Sequence, residues 1–115
     1  MTERDDSVFI EHILESIEAI EEFSKGITSK ELHTNRLKKS AITRELEIIG
    51  EASKNISNKL REKYKKIPWK NISGTRNIIA HQYFGVNIEI IIGIITKDLP
   101  ILKKQILEIK RALEI

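Results

Sequence analysis

The stretch NIEIIIGIITKDL, Asn87 to Leu99, decides the fold class of this 115-residue chain. Its β-branched residues would suit a buried strand. Yet Ile88, Ile91, Ile95 and Leu99 keep the stripe of an amphipathic helix, and no other run in the sequence offers a second strand to pair with. The spacing therefore predicts a helix. Pro100 should kink or restart it, and ILKKQILEIKRALEI resumes the same stripe at Ile106, Ile109 and Leu113.

Working outward, the remaining segments are also helical in pattern. The first helix places Val8 or Phe9, Ile13, Ile17 and Ile20 on one stripe, begins near the cap candidates Asp5, Asp6 and Ser7, and stops at Gly26. Thr28 to Glu31, TSKE, has the capping-box pattern and starts a new helix or turn. From about Thr34 the longest helix carries Ile42, Leu46, Ile49, Ser53, Ile56 and Leu60, with Gly50 in its interior implying a close backbone neighbour. In REKYKKIPWK, Pro68 blocks helix continuation and opens a short turn that carries Trp69 and Ile72 to the core. Ser73 or Thr75 then opens a helix that Gly85 closes, with Asn87 capping the next. The expectation is an all-α bundle of four main helices plus short turns, in one domain over residues 1–115.

Composition narrows the function classes. Hydrophobic residues make up 40% of the chain but aromatics only 5%, so the core must be built mostly of Ile and Leu. No Cys is present, which excludes disulfide staples and thiolate metal sites and makes the cytoplasm the default location. The N-terminal segment carries acidic residues through its apolar positions, unlike a signal peptide. The longest apolar run, IIIGII from Ile90 to Ile95, is far shorter than the roughly 20 residues that span a bilayer. A net charge of +3 permits contact with polyanions. No His or carboxylate spacing matches a metal site, and His12 and His33 lie on segments away from the polar cluster, so neither metal nor cofactor is expected.

That cluster is SGTRNIIAHQYFG, Ser73 to Gly85. With about 100° of turn per residue, Asn77 and His81 share a helix face within about 40°, and Arg76 and Tyr83 share a second stripe within about 20°. Ile78, Ile79 and Ala80 supply the side that can bury. A cation, an amide, an imidazole and a phenol thus stand within about two turns of helix.

Arg76, four residues, His81, one residue and Tyr83, with Asn77 directly after the Arg, resembles the motif of the HEPN superfamily in its HepT-like branch. RDDSVFIEHILESIEAIEEF, IIGEASKNIS, IPWKNISGTRN and DLPILKKQI extend the likeness over nearly the whole chain, and no motif position departs from the pattern. The resemblance implies a four- to five-helix up-and-down bundle that forms a homodimer with the motifs of both subunits at a shared cleft. It implies a metal-independent ribonuclease, acting as the toxin of a type VII-like toxin–antitoxin pair. Its partner would be an MntA-like minimal nucleotidyltransferase that attaches AMP to the motif Tyr, here Tyr83.

Metal-free RNA cleavage needs a base for the ribose 2′-hydroxyl, a cation for the charged transition state and an acid for the leaving oxygen. His81 and Arg76 fit the first two roles, and Asn77 would position the imidazole or the scissile phosphate. A dimer supplies a second His81 and Arg76 for the third. Glu51, beside Gly50, either orients this group from a neighbouring helix or is a plain exposed helix residue. Lys63, Lys65, Lys66 and Lys70, within a basic stretch that also holds Lys59 and Arg61, could attract an RNA backbone by counterion release. The rival reading is a binding module that keeps the dimer and the nucleotidyltransferase but has no useful nuclease activity.

Overall fold

The computed structural model describes residues 3–74 and 88–114, and within them all regular structure is helical. The elements are α1 (Glu3–Phe23), α2 (Ser29–Thr34), α3 (Arg36–Lys54), α4 (Asn58–Lys63), α5 (residues 69–74), α6 (Ile88–Gly93), a π-helical turn (Ile94–Asp98) and α7 (Leu99–Leu113). Helix α1 packs against both α3 and α7. Ile13, Ile17 and Ile20 of α1, Ile42 of α3 and Ile106 and Ile109 of α7 are completely buried, each stabilising the fold by about 1.5–3 kcal/mol relative to exposure. The core is therefore aliphatic, as the composition requires.

The helix reading of Asn87 to Leu99 holds for the described residues, with Ile88, Ile91 and Leu99 buried. What the stripe does not reveal is the wider turn within it. The Leu99 N–H donates to the Ile94 carbonyl, five residues back, and Thr96 Oγ1 donates to Ile92 O at 2.8 Å. Pro100 stands in the first turn of α7 and has no N–H to continue an ordinary ladder, so the chain is re-phased here.

At the other end of α1 the chain turns through Gly26, whose φ of +68° lies in the left-handed region that glycine enters without strain. Thr28 Oγ1 then accepts from the Glu31 N–H at 3.1 Å, the bond the TSKE pattern predicts, and α2 stays separate from α3. Asn35 caps α3 in the same way, its Oδ1 accepting from the Lys38 N–H at 3.0 Å.

Three boundaries correct the sequence reading. Helix α1 already runs at Glu3, so Asp5, Asp6 and Ser7 lie inside it rather than at its cap. The long helix from Thr34 to Leu60 is two helices, broken over residues 55–57, although Ile56 and Leu60 stay buried. Ser73 lies within α5 and does not open a helix. Thr75, Gly85 and Asn87 fall outside the described residues, as does most of the helix expected between Ser73 or Thr75 and Gly85.

The break after α3 has a non-local cause. Asp6 is 2% exposed, and its carboxylate accepts from the Ser57 N–H at 2.8 Å and from Ser57 Oγ at 2.5 Å. Ser57 Oγ in turn accepts from the Leu60 N–H at 3.2 Å, capping α4. On the other side of the break, the Arg61 guanidinium donates to the carbonyls of Ser53 and Lys54 at 2.8 and 2.9 Å, satisfying two acceptors that the end of α3 leaves without helical partners. Asp6→Ala is expected to cost about 3 kcal/mol, because it removes charge-assisted bonds from a buried cap, and to lower the melting temperature by roughly 10 °C. Asp6→Asn, which keeps one acceptor, should fall between. Thermal unfolding of the three chains checks this, and a loss under about 0.5 kcal/mol in Asp6→Ala would show that Asp6 does not hold α1 to α4.

Candidate functional site

Arg76, Asn77, His81 and Tyr83 lie outside the described residues. What the structure shows is how the chain is delivered to them. Ile67 and Trp69 are buried, and the Trp69 indole N–H donates to the Tyr64 carbonyl at 3.1 Å, tying the turn after α4 to the start of α5. The Ile72 N–H donates to the Pro68 carbonyl at 3.0 Å and closes the first turn of α5. Trp69 thus anchors the helical residues that run up to the motif, as the sequence anticipates.

Glu51 sits on the exposed side of α3, its side chain 43% exposed and its Oε1 3.9 Å from Lys54 Nζ. It neighbours Gly50, which is buried. An ion pair this exposed contributes little to stability.

The basic stretch is sorted by the fold into residues with different duties. Arg61 is half-buried and engaged with the end of α3. Lys65 Nζ is 3.4 Å from Glu62, both side chains about three-quarters exposed. Lys59, Lys63, Lys66 and Lys70 are exposed, and Lys63 Nζ lies 5.8 Å from the centroid of the Tyr64 ring, within cation–π range. Lys59, Lys63 and Tyr64 also line a cleft of about 170 Å³, together with Asp6, Leu60, Ala112 and Leu113.

A second group of charges joins α1 to α7. Lys103 Nζ donates to Glu21 Oε1 at 2.8 Å and Lys110 Nζ lies 3.1 Å from Glu11 Oε2. Those hydrogen bonds, donated to Glu21 and Glu11 respectively, hold both lysines above their ordinary pKa, so both stay charged through the neutral range.

Among the described residues no group of three or more acidic or imidazole side chains could hold a metal ion, and no helix is long and apolar enough to cross a membrane. His12, exposed on α1, makes an edge-on contact with Phe9 at 5.9 Å between ring centres.

The model of the ribonuclease HepT-like family matches residues 13–109. The chain belongs to the HepT-like ribonuclease family. That span contains Glu51, the four lysines and the whole of the Arg76-to-Tyr83 motif. The chain is 42% identical over 111 residues to a Methanocaldococcus jannaschii protein named "Gamma-glutamylcyclotransferase and putative RNase", covering 96% of this chain and 50% of that one. It is 42% identical over 106 residues to a second protein of that organism, named "Putative RNase", across 92% of this chain and 97% of the relative. A third, also named "Putative RNase", from Caldanaerobacter subterraneus subsp. tengcongensis, is 46% identical over 101 residues, 88% of this chain and 90% of the relative. The chain spans only half the length of the first of these. No solved structure gives a significant match.

The least legible member of this region in the sequence was Asp6. Its signal was nonetheless present, since Asp6 stands four residues before Ile10 and in phase with Ile13 and Ile17, on the buried stripe of α1. A carboxylate on a buried stripe must find donors.

Proposed function

We propose that this HepT-like chain is a metal-independent endoribonuclease, the toxin of a type VII-like toxin–antitoxin pair, active as a homodimer and silenced when a minimal nucleotidyltransferase attaches AMP to Tyr83. The family match across residues 13–109, which includes the complete motif, carries the reading. His81 takes the proton of the ribose 2′-hydroxyl, whose oxygen attacks the adjacent phosphorus. The bond to the 5′-oxygen breaks, and that oxygen leaves as a hydroxyl after receiving a proton from the partner copy's motif. Arg76 stabilises the charge that builds on the phosphoryl oxygens, its guanidinium matching phosphate in bidentate fashion. Asn77 holds the imidazole or the phosphate in place.

The purified chain should cleave RNA in excess EDTA and leave 2′,3′-cyclic phosphate and 5′-hydroxyl ends. Cleavage abolished by EDTA and restored by a divalent ion would overturn the metal-independent mechanism. The composite site has its own check. Arg76→Ala and His81→Ala chains, inactive alone, should regain part of the activity when unfolded and refolded together, and sedimentation should show a dimer at micromolar concentration. If mixing restores nothing, each subunit holds its site alone. If the parent chain cuts no RNA while a nucleotidyltransferase still modifies it, the binding-module reading prevails.

A further inference from the structure

We propose that the cavity between α3, α5 and the start of α7 takes one guanine base of the RNA substrate, with Asp98 reading its Watson–Crick edge. The proposal rests on the ribonuclease reading above. The cavity holds about 310 Å³, within the size range of small-ligand sites. Its walls are aliphatic, from Leu46 and Ile49 of α3, Ile72 of α5, Ile94 of the π-helical turn and Leu102 of α7. A base lifted out of its stack needs apolar contact of this kind on its two faces. Three polar side chains border the same space and have no partner among the described residues: Lys66, Asp98 and Gln105. Asn71 also borders it but is already engaged. Asp98 stands at the head of α7, the usual place of a capping side chain, yet makes no cap hydrogen bond. The π-helical turn ends there, and its first residue, Ile94, and its last, Asp98, both line the cavity. Such turns recur at functional sites, where the re-phased helix sets the direction of a side chain.

The carboxylate selects the base. It offers two acceptors side by side and no donor. Guanine presents two adjacent donors, N1–H and N2–H, on its Watson–Crick edge. Adenine and cytosine each set one amino donor beside a ring-nitrogen acceptor, and uracil sets one donor between two acceptors, so each of these opposes a lone pair to the carboxylate. A carboxylate also repels phosphate, which makes Asp98 a poor contact for RNA in general and a good one for this edge. Gln105, seven residues on and so about 10 Å along α7, brings an amide that can donate to the acceptors of the same base. Lys66, exposed, supplies a cation for the flanking phosphate. The cavity is also close to the motif. Ile72 precedes Arg76 by four residues, which limits their separation to about 14 Å even for a fully extended backbone. A base held here therefore belongs to a nucleotide near the phosphate that Arg76 takes.

The test uses 2′-O-methyl oligonucleotides of about 9 residues, long enough to cover one single-strand site. They are uridine runs with guanine, inosine, adenine or cytosine at the centre, and they resist 2′-hydroxyl attack, so binding to the intact chain is read by anisotropy whether or not it cuts RNA. Guanine should bind about tenfold or more tighter than adenine, and inosine, which lacks the N2 donor, should fall between. Asp98→Asn replaces one acceptor by a donor, the complement of the adenine N1 and N6 edge, so the preference should turn from guanine to adenine. A merely structural role for Asp98 would not exchange one base for another. Lys66→Ala should weaken all four oligonucleotides alike and reduce the slope of log affinity against log salt by about 0.7. Equal binding of guanine and adenine by the parent overturns the proposal, as does an unchanged guanine preference in Asp98→Asn or the absence of binding. If the parent shows no preference and Ile101→Ser, at a position 60% exposed beside the cavity, dissociates a dimer in sedimentation, a second copy covers this face instead. Cleavage is measured separately. A parent that prefers guanine but cuts nothing keeps the base site and overturns the nuclease reading, whereas one that cuts RNA but binds all four bases alike does the reverse.

Discussion

His81→Ala is expected to reduce RNA cleavage by about a thousandfold or more, with helix content and melting temperature close to those of the parent. A positioned general base contributes about 10²–10⁴-fold to proton transfer, and His81 is the one imidazole of the motif. An unperturbed imidazole, with a pKa near 6.5, is divided between its two forms at neutral pH, so the same side chain can accept a proton in one copy and donate it in the other. Arg76→Ala removes the matching charge from the phosphoryl oxygens and should cost about 10²–10³-fold. Arg76→Lys should recover little, since an ammonium cannot reproduce the two-point fit of guanidinium to phosphate. Single-turnover cleavage of a labelled RNA, with circular dichroism on the same preparations, measures both. Cleavage within tenfold of the parent in His81→Ala would falsify the catalytic assignment.

The second large effect concerns Tyr83. Co-expression with a cognate minimal nucleotidyltransferase should add one or more AMP units to that residue and suppress cleavage about a hundredfold or more without unfolding the chain. A phenol with an ordinary pKa near 10 is a poor base at neutral pH but a competent acceptor for nucleotidyl transfer. On the helix that the sequence spacing predicts, Tyr83 would stand two residues beyond His81 and about two turns from Arg76, so the added nucleotide would bring bulk and a phosphate charge to the space that substrate phosphate requires. Tyr83→Phe should cut RNA normally and remain toxic beside the nucleotidyltransferase. Intact-mass and peptide spectra locate the adduct. Neutralised toxicity with an unmodified Tyr83 would mean that the partner acts by binding alone.

The sequence announced its elements wherever the cause of an element is local. Ile88, Ile91 and Leu99 repeat at helix spacing within a dozen residues, and Thr28 finds its donor three residues on, so both were readable without the rest of the molecule. The break between α3 and α4 was not, because apolar spacing remains nearly in phase through Ile56 and Leu60 while the bond that enforces the break comes from Asp6, 51 residues away. The π-helical turn was half readable: Pro100 signals a disturbance, but not whether the backbone kinks or widens. For the candidate site, residue type and spacing indicate chemistry at Arg76, Asn77, His81 and Tyr83. The basic stretch shows the opposite limit, since composition counts Arg61 and Lys63 as equals while packing turns one toward α3 and leaves the other in the cleft with Tyr64.

The position of α1 between α3 and α7 bears on how the molecule is born. Glu11 meets Lys110 across 99 residues of chain, so α1 closes against α7 only after those residues have been made. At about 5–20 residues per second, the Ile stripe of α1 waits roughly 5–20 seconds for its last covering. During that interval a nascent chain exposes a sticky helix, inviting chaperone capture, and a ribosome that stalls before α7 leaves a product whose core stays open on one side.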